Sequence, residues 1–232
     1  MDGSARPVRG VLFDLDGTLV DNMRFHCDAW IELAAALGST VTREQVLHDF
    51  AGRRNEEILP IVVGRPLTPE QLTTLAEQKE ARYRELYASH LSLVDGAAEL
   101  LDELDALGIK YGISSAAPRK NRDFVLDGLK LRPRMAGIVG GEEVARGKPA
   151  PDLFLEGAKR IGIAPAEILV FEDARLGVQA AVAAGMRVAG ITTSEPGVEL
   201  VKAGAIGASA SFVQLPDVVR SWMGGRQISA RD

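Results

Sequence analysis

From Gly10 to Thr18 the sequence reads GVLFDLDGT, so that a short apolar run leads directly into two aspartates, Asp14 and Asp16. An apolar run of this kind predicts a strand buried on both faces, which delivers the two carboxylates at its carboxyl end. Gly17 permits the sharp turn that follows. An isolated Asp-x-Asp is also common in turns, where one aspartate caps the next helix, so the rest of the chain decides between the two interpretations.

Four further apolar runs end in small or polar residues and predict four more short strands. They are 109–113 before Ser114 and Ser115, 138–139 before Gly140, 168–171 before Glu172 and Asp173, and 188–191 before Thr192. Helical patterns lie between these runs and end at glycines: 97–107, 152–161 and 176–184. Strands that alternate with helices predict an α/β fold, here a Rossmann-like three-layer core with a parallel sheet.

The stretch 22–93 breaks this alternation, because it carries helical patterns and no convincing strand. Its helix starts are marked by polar capping residues: Asn22, Thr42 with Gln45, and Thr68 with Pro69 and Gln71. We therefore predict two units. Residues 1–21 and 94–232 form the core, and residues 22–93 form an all-helical cap subdomain inserted into it.

Composition limits the classes of partner. The formal net charge is -5 and no stretch interleaves many basic and aromatic residues, so nucleic acid is not expected as a partner. No apolar run is long enough to span a bilayer, and we expect no membrane partner. Cys27 is the single cysteine, which excludes an intrachain disulfide and favours a reducing, cytoplasmic location.

Acidic residues recur where the predicted strands end. Asp14 follows the first strand, and the neighbouring Glu172 and Asp173 follow a later one. Ligands of open parallel sheets bind at the carboxyl ends of the strands, so these side chains are expected to converge. Neighbouring carboxylates repel each other unless a cation or proton compensates, and oxygen ligands without Cys or His favour Mg²⁺ over zinc or copper.

A lysine and a serine pair complete the candidate polar set. Lys148 lies between Gly147 and Pro149 in a stiff loop; such a lysine is usually solvated, but beside carboxylates it can balance charge and bind phosphate. Ser114 and Ser115 end a predicted strand, where a hydroxyl and the N–H groups of the next turn can hold phosphate oxygens. The alternative for the serines is helix capping.

Taken in order, these residues match four motifs: Asp14-x-Asp16-Gly17-Thr18, Ser115, Lys148 and Glu172-Asp173. With them the chain resembles the haloacid dehalogenase-like hydrolase superfamily over nearly its whole length. The helical insertion, with His26 followed by Ala29 and Trp30, resembles the cap of the beta-phosphoglucomutase and sugar-phosphate phosphatase group.

The resemblance implies a role for each motif. Asp14 is expected to be the nucleophile that forms an aspartyl-phosphate, and Asp16 the general acid that protonates the leaving oxygen and then activates water. The cofactor Mg²⁺ is expected at the Asp14 carboxylate, the Asp16 backbone carbonyl and Asp173, with Glu172 nearby. The phosphoryl oxygens are assigned to Ser115, Ala116 and Lys148. Ser115 is preferred to Ser114 because family members place the hydroxyl on the last strand residue before a small turn.

Three cap residues are candidates for substrate contact: His26, Arg53 and Lys79. His26 is expected near Asp16, where it would couple cap closure to the acid, although polar residues on such helices are often simply exposed. Arg53 and Lys79 suit anion recognition but are also typical solvent-facing residues.

The likeness to the mutases is incomplete. Mutases of this group have Asp-Gly-Val at the positions of Asp16, Gly17 and Thr18. They also have a Lys and an Arg at the positions of Ala51 and Asn55. Losing two cations weakens binding of a bisphosphate, so we expect a phosphatase that hydrolyses a small phosphorylated metabolite, above all a sugar phosphate. The alternatives are a phosphosugar mutase and a non-catalytic binding module. The stretch after Ser194 is assigned no chemistry.

Overall fold

The computed structural model describes residues 7–223, so the ends of the predicted core, 1–6 and 224–232, lie outside the described residues. Six parallel strands form one sheet in the order β3-β2-β1-β4-β5-β6. The strands are β1 (Gly10–Phe13), β2 (Lys110–Ser115), β3 (Gly137–Gly140), β4 (Ile168–Glu172), β5 (Arg187–Ile191) and β6 (Ala208–Ser209). This confirms the predicted parallel α/β core. The edge strand β6 was not predicted, because two small residues leave no apolar run to detect.

Helices cover both faces of the sheet. After the helical insertion they are α5 (Ala97–Ala106), α6 (Arg119–Gly128), α7 (Asp152–Ile161), α8 (Arg175–Ala183), α9 (Gly197–Ala203) and α10 (Asp217–Trp222). Side chains of β1 alternate between two cores: Val11 and Phe13 join the cluster beneath α5 and α6, and Leu12 joins the cluster beneath α7 and α8. Both faces of the strand are therefore buried, as its apolar run predicts.

Residues 22–93, here called the helical insertion, contain helices and no strand. The α-helices are α1 (Met23–Ala36), α2 (Arg43–Gln45), α3 (Asn55–Val63) and α4 (Pro69–Tyr87), with a π-helical turn at Val46–Phe50. Their apolar faces meet in a separate cluster around Trp30, Phe50 and Leu59. The predicted capping boxes at Thr42 and Thr68 are both present, each with its reciprocal pair of hydrogen bonds.

Asn22 precedes α1 as predicted, but its side chain does not cap the helix. The Asn22 amide accepts from Gly17 N at 3.1 Å and donates to Asp16 Oδ1 and to Tyr83 Oη, both at 2.6 Å. The prediction of a side-chain cap was wrong, because the buried loop after β1 offers this amide better-placed partners. Asn22 thus ties that loop to α4.

No helix among residues 7–223 is long and apolar enough to cross a membrane.

Candidate active site

The carboxyl ends of β1, β2 and β4 meet at one edge of the sheet and form the floor of a cavity of about 80 Å³. Asp14, Asp16, Ser115, Lys148, Glu172 and Asp173 all line it, as do Ala116 and residues of the helical insertion. The structure therefore brings together every core residue that the sequence nominated. The roof is formed by α1, α3, α4 and the loop that follows the π-helical turn.

Lys148 lies at the centre of this floor and is 4% exposed. Its ammonium donates to Asp14 Oδ1 at 2.6 Å and also to Glu172 Oε1. Burial opposes the charge, but Asp14 and Glu172 outweigh it and raise the pKa of Lys148. The lysine is therefore a fixed cation rather than the solvated residue that its loop position alone would suggest.

Asp14 and Asp173 are buried carboxyl groups with too little positive charge around them. Burial and the charge of Glu172 raise the pKa of Asp14 to about 7, although Lys148 acts in the opposite direction. Burial and the charges of Glu172 and Asp14 raise the pKa of Asp173 well above its usual value. Three acidic groups around a single ammonium leave an excess of negative charge, which a divalent cation would neutralise.

The donor atoms fit Mg²⁺. Both carboxylate oxygens of Glu172 already have donors. Oε1 accepts from Lys148, and Oε2 accepts from the N–H groups of Asp173 and Ala174, so Glu172 does not point at the expected metal position. Between residues 7 and 223 no three Asp, Glu, His or Cys side chains form a ready-made metal cluster. The expected set needs only the Asp14 and Asp173 carboxylates, since a backbone carbonyl, water and the phosphate supply the other oxygens.

Two hydroxyl groups orient Asp173. The sequence analysis named Thr18 as part of the first motif but gave it no role, and it did not nominate Ser194. Thr18 Oγ1 donates to Asp173 Oδ1 at 2.9 Å, and the Ser194 hydroxyl donates to Oδ2. Ser194 follows β5 at the same sheet edge as the other site residues, so the rule that ligands gather at strand ends could have found it. Thr193 adds a bond to the Gly17 carbonyl.

Asp16 faces the helical insertion rather than Lys148. Its Oδ1 accepts from Asn22, and its Oδ2 lies 3.5 Å from His26 Nε2. Burial raises the pKa of Asp16, but the contact with His26 and the hydrogen bond from Asn22 lower it by more, so that the pKa is lowered overall. The carboxylate is thus held beside a histidine of α1, where a proton can be exchanged with a ligand in the cavity.

Lys79 sets the tautomer of His26. Its ammonium lies 2.7 Å from His26 Nδ1, and because an ammonium only donates, Nδ1 accepts and the ring proton belongs on Nε2, towards Asp16. The ring of His26 stacks on Tyr83 at 3.7 Å between centroids. Both His26 and Lys79 are buried, so neither is a solvent-facing residue of its helix.

Arg53 is exposed and lines the cavity rim. Among the residues that the structure describes, its guanidinium has neither a hydrogen bond nor an ion pair. It is therefore available to a ligand at the mouth of the cavity.

The two serines at the end of β2 point in different directions. Ser115 Oγ accepts from Ala117 N at 3.2 Å and borders the cavity beside Ala116. Ser114 points into the core beneath α7, so close to Gly157 that a Cβ at that glycine would collide with its hydroxyl. Ser115 is thus the serine placed to contact a phosphate.

Known proteins are similar to this chain over most of their length. CbbY from Rhodobacter capsulatus is 34% identical over 199 residues, which cover 81% of this chain and 86% of that protein. Hexitol phosphatase A from Escherichia coli is 33% identical over 192 residues, covering 78% and 81%. The crystal structure of beta-phosphoglucomutase from Clostridium difficile superposes with a TM-score of 0.80 at 26% identity, over 93% of this chain and 97% of that one.

A family-wide comparison agrees with these relatives. Residues 8–185 match the family described as haloacid dehalogenase-like hydrolase, and this range includes every residue that lines the cavity. The chain therefore belongs to the haloacid dehalogenase-like hydrolase family and is an enzyme of its phosphatase and phosphotransferase type.

Proposed function

We propose that this enzyme is a Mg²⁺-dependent phosphatase that hydrolyses a small phosphorylated sugar or sugar alcohol through an aspartyl-phosphate on Asp14. The observation that carries the proposal is the Asp14 carboxylate, fixed by Lys148 at the floor of a cavity that also holds Asp16 and Ser115. We further propose a cytoplasmic location, which rests on Cys27, buried and unpaired.

The proposed reaction has two steps. Asp14 attacks phosphorus and the ester oxygen leaves with a proton from the protonated form of Asp16. The resulting Asp16 carboxylate then removes a proton from water, which attacks the aspartyl-phosphate; phosphate leaves, and Asp14 and protonated Asp16 are both restored. Ser115, the N–H of Ala116 and Lys148 hold the phosphoryl oxygens. Mg²⁺ held by Asp14, Asp173 and the Asp16 carbonyl would supply charge neutralisation.

We assign the helical insertion, residues 22–93, as a cap over the core of 1–21 and 94–232. Support comes from its separate apolar cluster and from its position as the roof of the cavity. A roof of this kind excludes water from the reacting phosphate and selects the leaving group.

The charges of the roof favour a monoester with an uncharged leaving group. Lys79 is paired with Glu80 at 3.0 Å, and Asn55 donates to the same carboxylate at 2.9 Å. Among the described residues that line the roof, this leaves Arg53 as the cation available to a ligand, too little to hold the second phosphate of a bisphosphate beside a buried Glu80. Hexitol phosphatase A, a relative, is a phosphatase by name.

The test is phosphate release from a panel of phosphorylated sugars, sugar alcohols and short acids, with Mg²⁺ or with excess chelator. Selective Mg²⁺-dependent release is expected, and Asp14→Asn should abolish it. Normal turnover by Asp14→Asn, once deamidation and contaminating phosphatase are excluded, would overturn the proposal. Any authentic turnover also removes the binding-module alternative.

A phosphosugar mutase is the second candidate, favoured by the structural likeness to beta-phosphoglucomutase. Conversion of β-glucose 1-phosphate to glucose 6-phosphate in the presence of a bisphosphate activator would identify it. A phosphatase releases inorganic phosphate from such substrates instead, so the two activities are read from one incubation.

A further inference from the structure

A buried polar bridge joins the helical insertion to the core. Asn121, in the first turn of α6, has no exposed surface. Its Nδ2 donates to Glu80 Oε2 at 2.6 Å, and its Oδ1 accepts from Arg84 Nη1 at 2.7 Å. Both partners belong to α4, so the orientation of the Asn121 amide is fixed from both ends.

The bridge continues through Glu80 to the reacting groups. Glu80 Oε1 accepts from Lys79 at 3.0 Å, Lys79 donates to His26 Nδ1 at 2.7 Å, and His26 Nε2 lies 3.5 Å from Asp16 Oδ2. Burial opposes the charge of Glu80, but Lys79 and the hydrogen bonds from Asn55 and Asn121 favour it and the pKa of Glu80 falls to about 2, so Glu80 is a carboxylate throughout the physiological range.

The other end of the bridge starts beside the phosphate-binding loop. Ser115 and Ala116 lead directly into Pro118 and α6, and Asn121 N donates to the Pro118 carbonyl at 2.9 Å. A continuous chain of contacts therefore leaves the core next to the phosphate, crosses α4, and returns to the core at Asp16. It is complete only when the insertion lies against the core as it does here.

We propose that Asn121 is a positioning residue: it anchors Glu80, and through Lys79 and His26 it holds the insertion closed with Asp16 aimed at the leaving oxygen. The inference rests on the proposed phosphatase function. It gives a core residue outside the four motifs a role in protonating the leaving group.

The same two helices offer a matched control. Lys120, next to Asn121, forms an exposed ion pair with Glu77 of α4 at 3.1 Å. Exposed pairs contribute little, whereas a buried hydrogen bond to a charged group contributes much more. Lys120→Ala therefore removes a contact between the helices that is not part of the buried chain, and Arg84 keeps its own bond to Glu77 at 2.9 Å.

The kinetic experiment compares Asn121→Ala, Asn121→Asp and Lys120→Ala. With a sugar phosphate, which needs protonation of its leaving oxygen, kcat/KM should fall about 10- to 100-fold in Asn121→Ala. With p-nitrophenyl phosphate, whose leaving group needs no acid, it should fall less than about threefold. Asn121→Asp keeps the shape of the side chain but sets a carboxylate against Glu80, so it should be at least as impaired as Asn121→Ala.

A second readout is independent of turnover. In a Trp222→Phe background Trp30 is the remaining tryptophan, and it is 2% exposed on the roof of the cavity. Quenching of its fluorescence by acrylamide should increase in both Asn121 variants and stay unchanged in Lys120→Ala. If Asn121→Asp does not fold, Arg84→Met replaces it, since it removes the bond that fixes the Asn121 amide; a smaller change in the same direction is expected.

Equal losses on both substrates, a nearly normal Asn121→Asp, or unchanged Trp30 quenching would each overturn the proposal and leave a packing role. Absence of turnover in the parent enzyme would instead count against the phosphatase function, and the quenching result would still show whether Asn121 holds the insertion closed.

Discussion

Three carboxyl groups and one ammonium share the buried floor of the active site. Lys148 bonds to Asp14 and Glu172, while Asp173 depends on hydroxyl groups. Without a metal ion the folded state therefore carries unfavourable negative charge, and this imbalance has measurable consequences at single residues.

Asp14→Asn should stabilise the metal-free protein at neutral and alkaline pH. The pKa of Asp14 rises from 3.8 to about 7 on folding, so its ionisation penalises the folded state increasingly as pH rises from 3.8 through 7. The variant cannot ionise, and its advantage should be absent near pH 4 and complete above pH 7. Chemical denaturation in excess chelator measures the free energy of unfolding of both proteins across this pH range. Asp102→Asn, at an exposed aspartate, is the control. A difference between Asp14→Asn and the parent protein that does not change with pH would contradict the prediction.

Lys148→Met should have the opposite effect. Removing one partner of a buried ion pair leaves uncompensated charge, which costs about 3–5 kcal/mol of folding free energy at neutral pH. Turnover should also disappear, because the phosphoryl oxygens lose their cation. Lys159→Met, which removes an exposed pair with Glu156, should change neither property. Measurable phosphatase activity in Lys148→Met would argue against its role.

At the scale of elements, sequence patterns predict structure where the deciding contacts are local. The capping box at Thr68 closes through Gln71, three residues away, and was predicted. Asn22 was expected to cap α1 in the same way, but its amide binds Tyr83, which lies 61 residues along the chain. No local pattern reveals such a partner.

The same limit applies to the site. The convergence of Asp14 and Asp173 follows from their position at strand ends, and the structure places both on the cavity floor. Glu80 was not nominated, because its partners Asn55 and Asn121 lie 25 and 41 residues away and become neighbours only after the insertion packs on the core.

The turn after β1 allows a sharp test at this scale. Gly17 and Gly38 both have left-handed backbones, with φ of 79° and 73°. A Cβ at Gly17 would collide with the Asp173 carboxylate, whereas a Cβ at Gly38 would meet nothing within 4 Å. Both alanine variants should lose about 1–2 kcal/mol from backbone strain, measured by denaturation.

Only Gly17→Ala should also lose Mg²⁺-dependent turnover, because it displaces a proposed metal ligand. Equal activity of the two variants, assayed at saturating Mg²⁺, would show that the close approach of Gly17 to Asp173 has no catalytic importance.

At the scale of the whole molecule, contacts between the insertion and the core surround the cavity. Arg54 Nη1 lies 3.5 Å from the Gly141 carbonyl, and Arg175 donates to the His48 carbonyl at 2.5 Å. Together with the buried polar bridge through Asn121 and Glu80, these contacts hold the helical insertion against the core around the cavity. A ligand bound in the cavity therefore touches both parts and should stabilise the folded chain as a whole.

Mg²⁺ should raise the melting temperature, since it binds the folded state and relieves the charge on the floor. At about 100 times its Kd a ligand adds about 2.7 kcal/mol, which corresponds to roughly 5–10 °C for a chain of this size. Asp173→Asn should abolish the shift, and Asp102→Asn should retain it. Asp173→Asn also removes a destabilising buried charge, so in chelator it should melt at a higher temperature than the parent protein. Adding Mg²⁺ should not raise the melting temperature of this variant further. An undiminished Mg²⁺ shift would show that Asp173 is not a metal ligand.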